Sequence, residues 1–317
     1  MRSLITSIGE ILVDFLPVEE NGRTVGFRMH PGGSPFNVAL GLARLGRQVA
    51  FASKISSDLF GRYLLEHVEA EGIDTRFLLP SEAPTTLAFV AIEDGEPAYA
   101  FYDQGAADTL IIPGEVPPTL FEETGILHFG SISLLRGTTP GAVVETVERL
   151  KGHALLSFDP NLRPGLVRDE KAYRALLDRL FLLADIVKLS AADLTWLAPG
   201  QALERTMSDL LARGPALVTI TRGGEGVLAL RRQGYVSVPG FSVQVADTVG
   251  AGDAFTAGLL AALSEMDVTS RTGLEAMSEE VLTSTLSFGA AVAGITCTRV
   301  GADPPQRREV VRFLGEE

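Results

Sequence analysis

Residues 247–263 read DTVGAGDAFTAGLLAAL, a loop of small residues that runs directly into an apolar helix. A helix start needs only one capping residue, but here Gly250, Ala251, Gly252 and Asp253 stand together. Two interpretations of the aspartate stay open. Asp253 either caps the first turn, or it lies beside an anion such as a phosphoryl group, which the free N–H groups and the dipole of a helix start attract. The glycines favour the anion, because they let a ligand approach the backbone.

The two familiar phosphate-binding motifs do not match this stretch. A Walker A loop needs the dipeptide Gly-Lys, which occurs nowhere in the chain. The dinucleotide fingerprint needs a third glycine, and Phe255 stands at that place. The stretch therefore predicts an anion site at a helix start that contains no lysine.

Outward from this stretch, strand-like and helix-like segments alternate along the chain. Short β-branched runs such as ADIVKLS (184–190) and ALVTITRGG (216–224) are typical of buried parallel strands. The alternation predicts a layered α/β fold with a mostly parallel central sheet, as one domain over residues 1–317.

Two segments depart from that alternation. Residues 24–30 look like a strand, and residues 85–103 look like two strands around the turn EDGE (93–96), and no long helix lies near either segment. We expect a small β-sheet lid with strands from about 12–30 and 85–108. Two other interpretations stay open, a dimer surface and an edge extension of the main sheet.

Composition narrows the class of protein. The net charge of −13 argues against a nucleic-acid surface, where a basic stripe is expected. Cys297 is the only cysteine, so no disulfide forms within the chain. No run approaches the ~20 apolar residues of a membrane span. We expect a cytoplasmic protein that binds neither nucleic acid nor membrane.

Three further stretches carry polar groups where ligands bind. HPGGSPFNVALGLARLG (30–46) places a Gly-Gly turn and Asn37 at a helix start, and SFDPNLRPG (157–165) and TRGGEGV (221–227) each follow a strand. In a parallel sheet the carboxyl ends of the strands form the ligand crevice. Each stretch alone is also explained by ordinary turn chemistry.

Together these stretches resemble the ribokinase-like (PfkB) family of carbohydrate kinases along the whole chain. DTVGAGD (247–253) is similar to the family's C-terminal signature, and GGSPFNVALGLARLG (32–46) is similar to its N-terminal signature. GEILVD (9–14) and SFDPNLRP (157–164) resemble the bacterial fructokinase branch. TRGGEG (221–226) resembles the nucleotide-contacting segment, and TRVGA (298–302) resembles the closing one.

The resemblance implies ATP-dependent phosphorylation of a sugar hydroxyl with Mg²⁺, and it leaves open a monovalent cation such as K⁺. Asp253 would be the base, and the backbone N–H groups of Gly250, Ala251, Gly252 and Asp253 would stabilise the transferred phosphoryl group. The residues implied for the sugar are Asp14, Gly32, Gly33, Asn37, Phe101, Asp103 and Arg163. Those implied for the nucleotide are Lys188, Ser190, Thr221, Gly223, Gly226 and Ala290. A homodimer is expected, since exposed sheet edges tend to be covered.

The chain departs from the family pattern at two places. In KLSAADL (188–194), Ser190 and Asp193 replace a frequent Asn and Glu, and Asp193 is predicted to act on magnesium through water. In FYDQGAAD (101–108), Asp103 stands where the resemblance implies arginine. A carboxylate there disfavours an acidic sugar by like-charge repulsion.

Fructose is therefore the leading substrate prediction. The alternatives are 2-keto-3-deoxygluconate, with Arg163 holding its carboxylate, and a nucleoside on the same fold. From a different class, the chain could be a catalytically weak sugar or nucleotide sensor. Asp253 argues against the sensor, because binding alone needs no base.

Overall fold

The computed structural model describes residues 3–21, 23–93 and 96–315. Residues 94 and 95 of the predicted EDGE turn lie outside this range. The strands are β1 (Leu4–Ile8), β2 (Leu12–Glu20), β3 (Arg23–Gly32), β4 (Val49–Ser56), β5 (Leu78–Ser81), β6 (Thr86–Glu93), β7 (Glu96–Tyr102), β8 (Thr124–Gly130), β9 (Leu155–Asp159), β10 (Ile186–Ser190), β11 (Leu217–Thr221), β12 (Val227–Arg231) and β13 (Gly234–Val238).

The α-helices alternate with these strands over most of the chain. They are α1 (Ser34–Arg44), α2 (Leu59–Ala70), α3 (Pro118–Glu123), α4 (Thr139–Leu150), α5 (Glu170–Leu183), α6 (Ala191–Leu197), α7 (Leu203–Arg213), α8 (Ala251–Glu265), α9 (Arg271–Ala276), α10 (Glu279–Thr296) and α11 (Arg307–Leu314). Short 3₁₀ turns occur at Ala107–Thr109, Ser131–Leu134, Pro164–Leu166 and Gly223–Glu225.

The main sheet has nine strands in the order β13-β12-β11-β10-β9-β8-β1-β4-β5. Its pairs are parallel from β5 through to β11, and only β12 pairs antiparallel with both of its neighbours. The predicted α/β class with a mostly parallel central sheet is therefore confirmed.

Apolar cores cover both faces of the main sheet. Consecutive residues of a strand point to opposite faces, so Ile126 and Leu127 of β8 enter different cores, as do Ile186 and Val187 of β10. One core contains α1, α8 and α10, and the other contains α4, α5 and α7. Burial on both faces explains why these strands read as continuous apolar runs, and the arrangement makes three layers.

The remaining four strands form a second sheet in the order β3-β2-β6-β7. Its central pair, β2 and β6, is parallel, whereas β2 with β3 and β6 with β7 pair antiparallel. The strands expected from 12–30 and 85–108 are thus in a sheet of their own, and not in an extension of the main sheet. We call this the second sheet below.

The prediction of no membrane span can be compared with the length and polarity of the helices in the structure. Within the described residues, every helix is too short or too polar to cross a membrane.

Candidate active site

A cleft of about 650 Å³ lies at the carboxyl edge of the main sheet, beneath the second sheet. Because parallel strands end at one edge, residues far apart in sequence meet there. The lining residues that follow or end β1, β8, β9, β10 and β11 are Glu10, Ser131, Asn161, Ser190 and Thr221. The start of α8 closes the cleft with Gly250, Gly252 and Asp253.

Asp253 does not cap its helix. The N-cap of α8 is Gly250, whose φ of 74° is left-handed, and the start of α8 has no side-chain cap hydrogen bond. Instead, the Asp253 carboxylate accepts hydrogen bonds from Ser34 Oγ at 2.7 Å and from Asn37 Nδ2 at 2.9 Å. Both donors belong to the first turn of α1, so two helix starts, 219 residues apart at Ser34 and Asp253, meet at one carboxylate.

Gly252 has a neighbour that the sequence did not predict. A Cβ at this position would lie 2.6 Å from Nζ of Lys188, which projects from β10 and forms a buried 2.8 Å ion pair with Asp159. The glycine therefore leaves room for an ammonium group at the start of α8. The expectation of an anion site without lysine is wrong, because Lys188 comes from a strand 64 positions earlier in the chain.

The free backbone N–H groups at the start of α8 are fewer than predicted. The N–H of Ala251 donates to the Thr248 carbonyl at 3.2 Å, and Ala254 makes the first helical bond, to Gly250. The N–H groups of Gly250, Gly252 and Asp253 have no acceptor within the described residues and remain for an anion, since the first turn of a helix lacks internal acceptors. Position 250 requires glycine for packing, because a Cβ there would lie 2.5 Å from the Cβ of Ala302.

Electrostatics distinguish two of the carboxylates that line the cleft, Asp253 and Asp14. Burial raises the pKa of Asp253, while hydrogen bonds from Ser34 and Asn37 and the charge of Lys188 oppose the rise. Burial and then the charge of Asp253 raise the pKa of Asp14 to about 7. The Asp14 carboxylate lies against the backbone of Gly32, because a Cβ at position 32 would be 2.1 Å from Oδ2 of Asp14.

This pKa predicts how stability depends on pH. An unfolded aspartate titrates near 3.8, so between about pH 4 and 7 the folded chain binds more protons, and the free energy of unfolding falls as pH rises. Asp14→Asn should therefore raise the melting temperature more at about pH 8 than at about pH 5. Asp108 is also buried, and its pKa is also raised to about 7. The free energy of unfolding of Asp14→Asn should therefore still fall as pH rises, but less steeply than in the parent protein.

Thermal unfolding across this pH range measures the effect. The matched control is Glu19→Gln, an exposed carboxyl on the same strand. An equal change in both variants at every pH would contradict the titration of Asp14.

Glu10 is a residue of the cleft that the sequence analysis missed. Its carboxylate accepts from the N–H groups of Ser34 and Ser133, each at 3.1 Å, and from the Ser133 hydroxyl. It is fully buried, and burial raises its pKa against these bonds. Glu10 thus joins the start of α1 to the loop after β8. Its backbone carbonyl lies 2.6 Å from where a Cβ of Gly33 would be.

Some of the other residues predicted from the sequence line the cleft, and the rest lie outside its lining. Phe101, Arg163, Ser190 and Thr221 line the cleft, and Arg163 is exposed. The predicted residues outside the lining are Gly32, Asp103, Asp193, Gly223, Gly226, Ala251 and Ala290. Ala290 packs in the apolar core of α10. Gly226 has a φ of 85° and no room for a Cβ beside Val238.

Asp103 lies away from the cleft. It is 8% exposed and forms an ion pair with Arg136, whose Nε lies 3.2 Å from its Oδ2. A carboxylate paired in this way has little charge left to repel a substrate. The inference of a neutral sugar from Asp103 therefore loses its basis.

Asp193 also has a local structural explanation. Its Oδ2 accepts from the N–H and hydroxyl of Ser190, which completes a capping box at the start of α6. Its Oδ1 accepts from the N–H of Leu162 at 2.8 Å. Both oxygens thus accept hydrogen bonds from protein donors, and the action of Asp193 on magnesium through water stays a prediction. Within the described residues, no group of three acidic, histidine or cysteine side chains is placed to hold a metal.

The fold and this site define the class. The chain belongs to the pfkB family of carbohydrate kinases, whose model matches residues 2–308, and the predicted family is confirmed.

Fructokinases are among the proteins that this chain is similar to. A fructokinase of Rhizobium leguminosarum bv. trifolii is 36% identical over 279 residues, which cover 88% of this chain and 85% of the relative. The crystal structure of a Xylella fastidiosa fructokinase with bound ATP matches with a TM-score of 0.92 at 31% identity, covering 100% and 99% of the two chains. A Vibrio cholerae O395 fructokinase double mutant in fructose, ADP and potassium ion bound form matches with a TM-score of 0.87 at 27% identity, over 99% and 98%.

Proposed function

We propose that this protein is an ATP-dependent fructokinase that converts D-fructose to fructose 6-phosphate, with Asp253 as the base. The observation that carries the proposal is the Asp253 carboxylate, fixed by Ser34 and Asn37 in the cleft at the start of α8. Relatives named fructokinases, one with ATP and one with fructose and ADP, support this substrate and donor. A cytoplasmic location, where ATP is supplied, is part of the proposal.

The residues of the cleft have distinct roles in the proposed reaction. Asp253 accepts the proton of the attacking hydroxyl, while that oxygen forms its bond to the γ-phosphorus and the bond to the leaving ADP breaks. Such transfer passes through a loose transition state, so charge stabilisation matters more than base strength. The N–H groups of Gly252 and Asp253 and the ammonium of Lys188 supply positive charge beside the base.

A metal ion belongs to this proposal through the nucleotide. Bound Mg²⁺ would neutralise phosphate charge, and it commonly keeps several waters and binds substrate phosphates. The Asp193 carboxylate accepts hydrogen bonds from protein donors. The metal would therefore be bound by the nucleotide phosphates more than by a protein ligand.

Arg163 supports the second candidate, 2-keto-3-deoxygluconate kinase. This exposed guanidinium lines the cleft, and among the described residues its hydrogen bonds go to two backbone carbonyls, those of Asn161 and Leu162. A guanidinium is suited to bind a substrate carboxylate, and Asp103 no longer argues against one.

A coupled assay of ADP release tests both candidates. Fructose, 2-keto-3-deoxygluconate, ribose and adenosine are compared by kcat/KM, and we expect fructose to rank first. Arg163→Ala should then change KM for fructose only slightly. A preference for the sugar acid, with a large loss in the arginine variant, would favour the second candidate. ADP release with none of the four would favour a sensor.

We further propose that the second sheet acts as a lid and as a dimer surface. Because side chains alternate along β2, one face turns Leu12, Asp14 and Leu16 to the cleft. The other face carries a cluster of aromatic rings, with centroids 4.5–6.4 Å apart in contacting pairs, formed by Phe15, Phe27, Phe89 and Tyr102. Phe27 is 46% exposed and Tyr102 is 65% exposed, and such an apolar patch commonly marks an interaction site.

Replacement of Phe27 tests the dimer. Phe27→Glu places a charge in the patch and should shift the protein from dimer to monomer in sedimentation velocity. The matched control is Leu182→Glu, since Leu182 is 57% exposed on α5, outside the second sheet. A monomeric parent protein, or a dimer that Phe27→Glu leaves intact, would rule out this surface.

A further inference from the structure

A second concavity lies at the opposite end of the main sheet from the cleft. It has a volume of about 480 Å³ and includes Leu217, the first residue of β11, whereas Thr221 at the other end of this strand lines the cleft. We call it the distal pocket. Its walls come from α7, the turn between β12 and β13, and α9. None of the residues predicted for sugar or nucleotide lines it.

The distal pocket is positively charged in an acidic protein. Arg231, Arg232, Arg271 and Glu275 line it, which leaves two positive charges, whereas the whole chain carries −13. Arg271 bonds to Glu275 at 2.9 Å and to the Gly214 carbonyl at 2.7 Å. Within the described residues, neither Arg231 nor Arg232 forms an ion pair with a carboxylate. The excess charge therefore belongs to these two arginines.

Arg231 is a buried cation that has no carboxylate partner in the part of the chain that the structure describes. The residue is 7% exposed. Its Nη1 donates to the Met277 carbonyl, and its Nε is buried without a hydrogen-bond partner. Buried charges are usually paired, and an unsatisfied buried donor calls for an explanation such as a missing ion. The Nε–Nη2 edge of arginine is one that binds phosphate or carboxylate with two parallel bonds.

Most of the remaining pocket wall is apolar, and Ser208 and Gln233 are the other polar side chains that line it. The larger apolar side chains are Leu211, Pro215, Leu217, Leu230, Leu274 and Leu282. An inorganic ion would leave this surface uncovered, whereas a molecule with a carbon body would contact it. Small-molecule sites commonly combine an apolar lining with a few polar groups that fix orientation.

We propose that the distal pocket binds a phosphate monoester with a compact apolar body. Its phosphate lies between the guanidinium groups of Arg231 and Arg232, and its carbon body lies against the leucines. A monoester carries about −1.5 to −2 charges at neutral pH, which matches the two charges in excess. Arg232, which is exposed and forms no ion pair with a described residue, lies at the entrance, and Arg231 supplies the buried donor.

Calorimetric titration with phenyl phosphate tests the proposal, with saturating ADP and fructose present to fill the cleft. We expect one site per chain, about tenfold weaker in Arg232→Gln and weaker still in Arg231→Gln. The matched control is Arg308→Gln, an exposed arginine on α11 away from the pocket, which should bind like the parent protein. Sugar phosphorylation should be unchanged in Arg232→Gln.

Two further probes test the chemistry. Phenol lacks the charge and should not bind, and inorganic phosphate lacks the apolar body and should bind more weakly than phenyl phosphate. Equal affinity in Arg232→Gln and Arg308→Gln would overturn the site, as would loss of all binding when the cleft is filled. Equal binding of inorganic phosphate would overturn the apolar contact. If Arg231→Gln does not fold, Arg232→Gln still decides the outcome.

Discussion

Replacement of Asp253 by asparagine is expected to lower turnover roughly 10²- to 10⁴-fold, the usual contribution of a positioned general base. Asparagine keeps the size of the side chain and an oxygen that accepts from Ser34, but it cannot take a proton from a hydroxyl. Because the carboxylate bonds to α1 and not to the cap of its own helix, the start of α8 should keep its shape. ATP affinity should therefore change only a few-fold, measured by titration alongside steady-state turnover.

Ser34→Ala provides the matched comparison for Asp253→Asn. It removes one of the two hydrogen bonds to the carboxylate but leaves the base in place, so its loss of turnover should be much smaller. Full activity of Asp253→Asn would remove Asp253 as the base. A loss of ATP binding as large as the loss of turnover would indicate a disturbed helix start.

Lys188→Met is expected to destabilise the fold by about 3–5 kcal/mol, because it leaves the Asp159 carboxylate buried without its partner. The two side chains are 5% and 1% exposed, so water cannot replace the ammonium. Burial works against the charge of Lys188, but Asp159, Asp193 and Asp253 outweigh it and raise the pKa of this lysine. Urea unfolding measures the loss.

The double variant Lys188→Met/Asp159→Asn separates the ion pair from the reaction. It removes both charges and should recover much of the stability, but not turnover, since no ammonium remains beside Gly252. Arg205→Met is the surface control, since it breaks an exposed pair with Asp209 and should cost no more than about 1 kcal/mol. A Lys188→Met protein as stable as this control would contradict the argument.

The sequence predicted those parts of the site that local chemistry determines. β-branched runs that end in polar residues predicted β10 and β11, and parallel strands necessarily bring such ends to one edge. Small residues before Asp253 predicted a helix start open to an anion, and Asn37 was expected near the ligand for its amide. The structure places both residues in one cleft, in direct contact.

What the sequence did not predict depends on partners distant along the chain. Nothing near Lys188 indicates that its ammonium reaches Gly252, and nothing near Asp103 indicates Arg136 as its partner. Asp193 is different, because Ser190 three positions earlier is a capping-box signature that was available from the sequence.

The alternation along β2 limits how this protein can evolve. Asp14 and Phe15 are neighbours in sequence, yet one faces the cleft and the other belongs to the aromatic cluster on the opposite face. An inserted or deleted residue within the strand would exchange the two faces at once. Substrate preference and the proposed subunit association would then be lost together, so lineages are expected to vary them by substitution at alternate positions, with the length of the strand conserved.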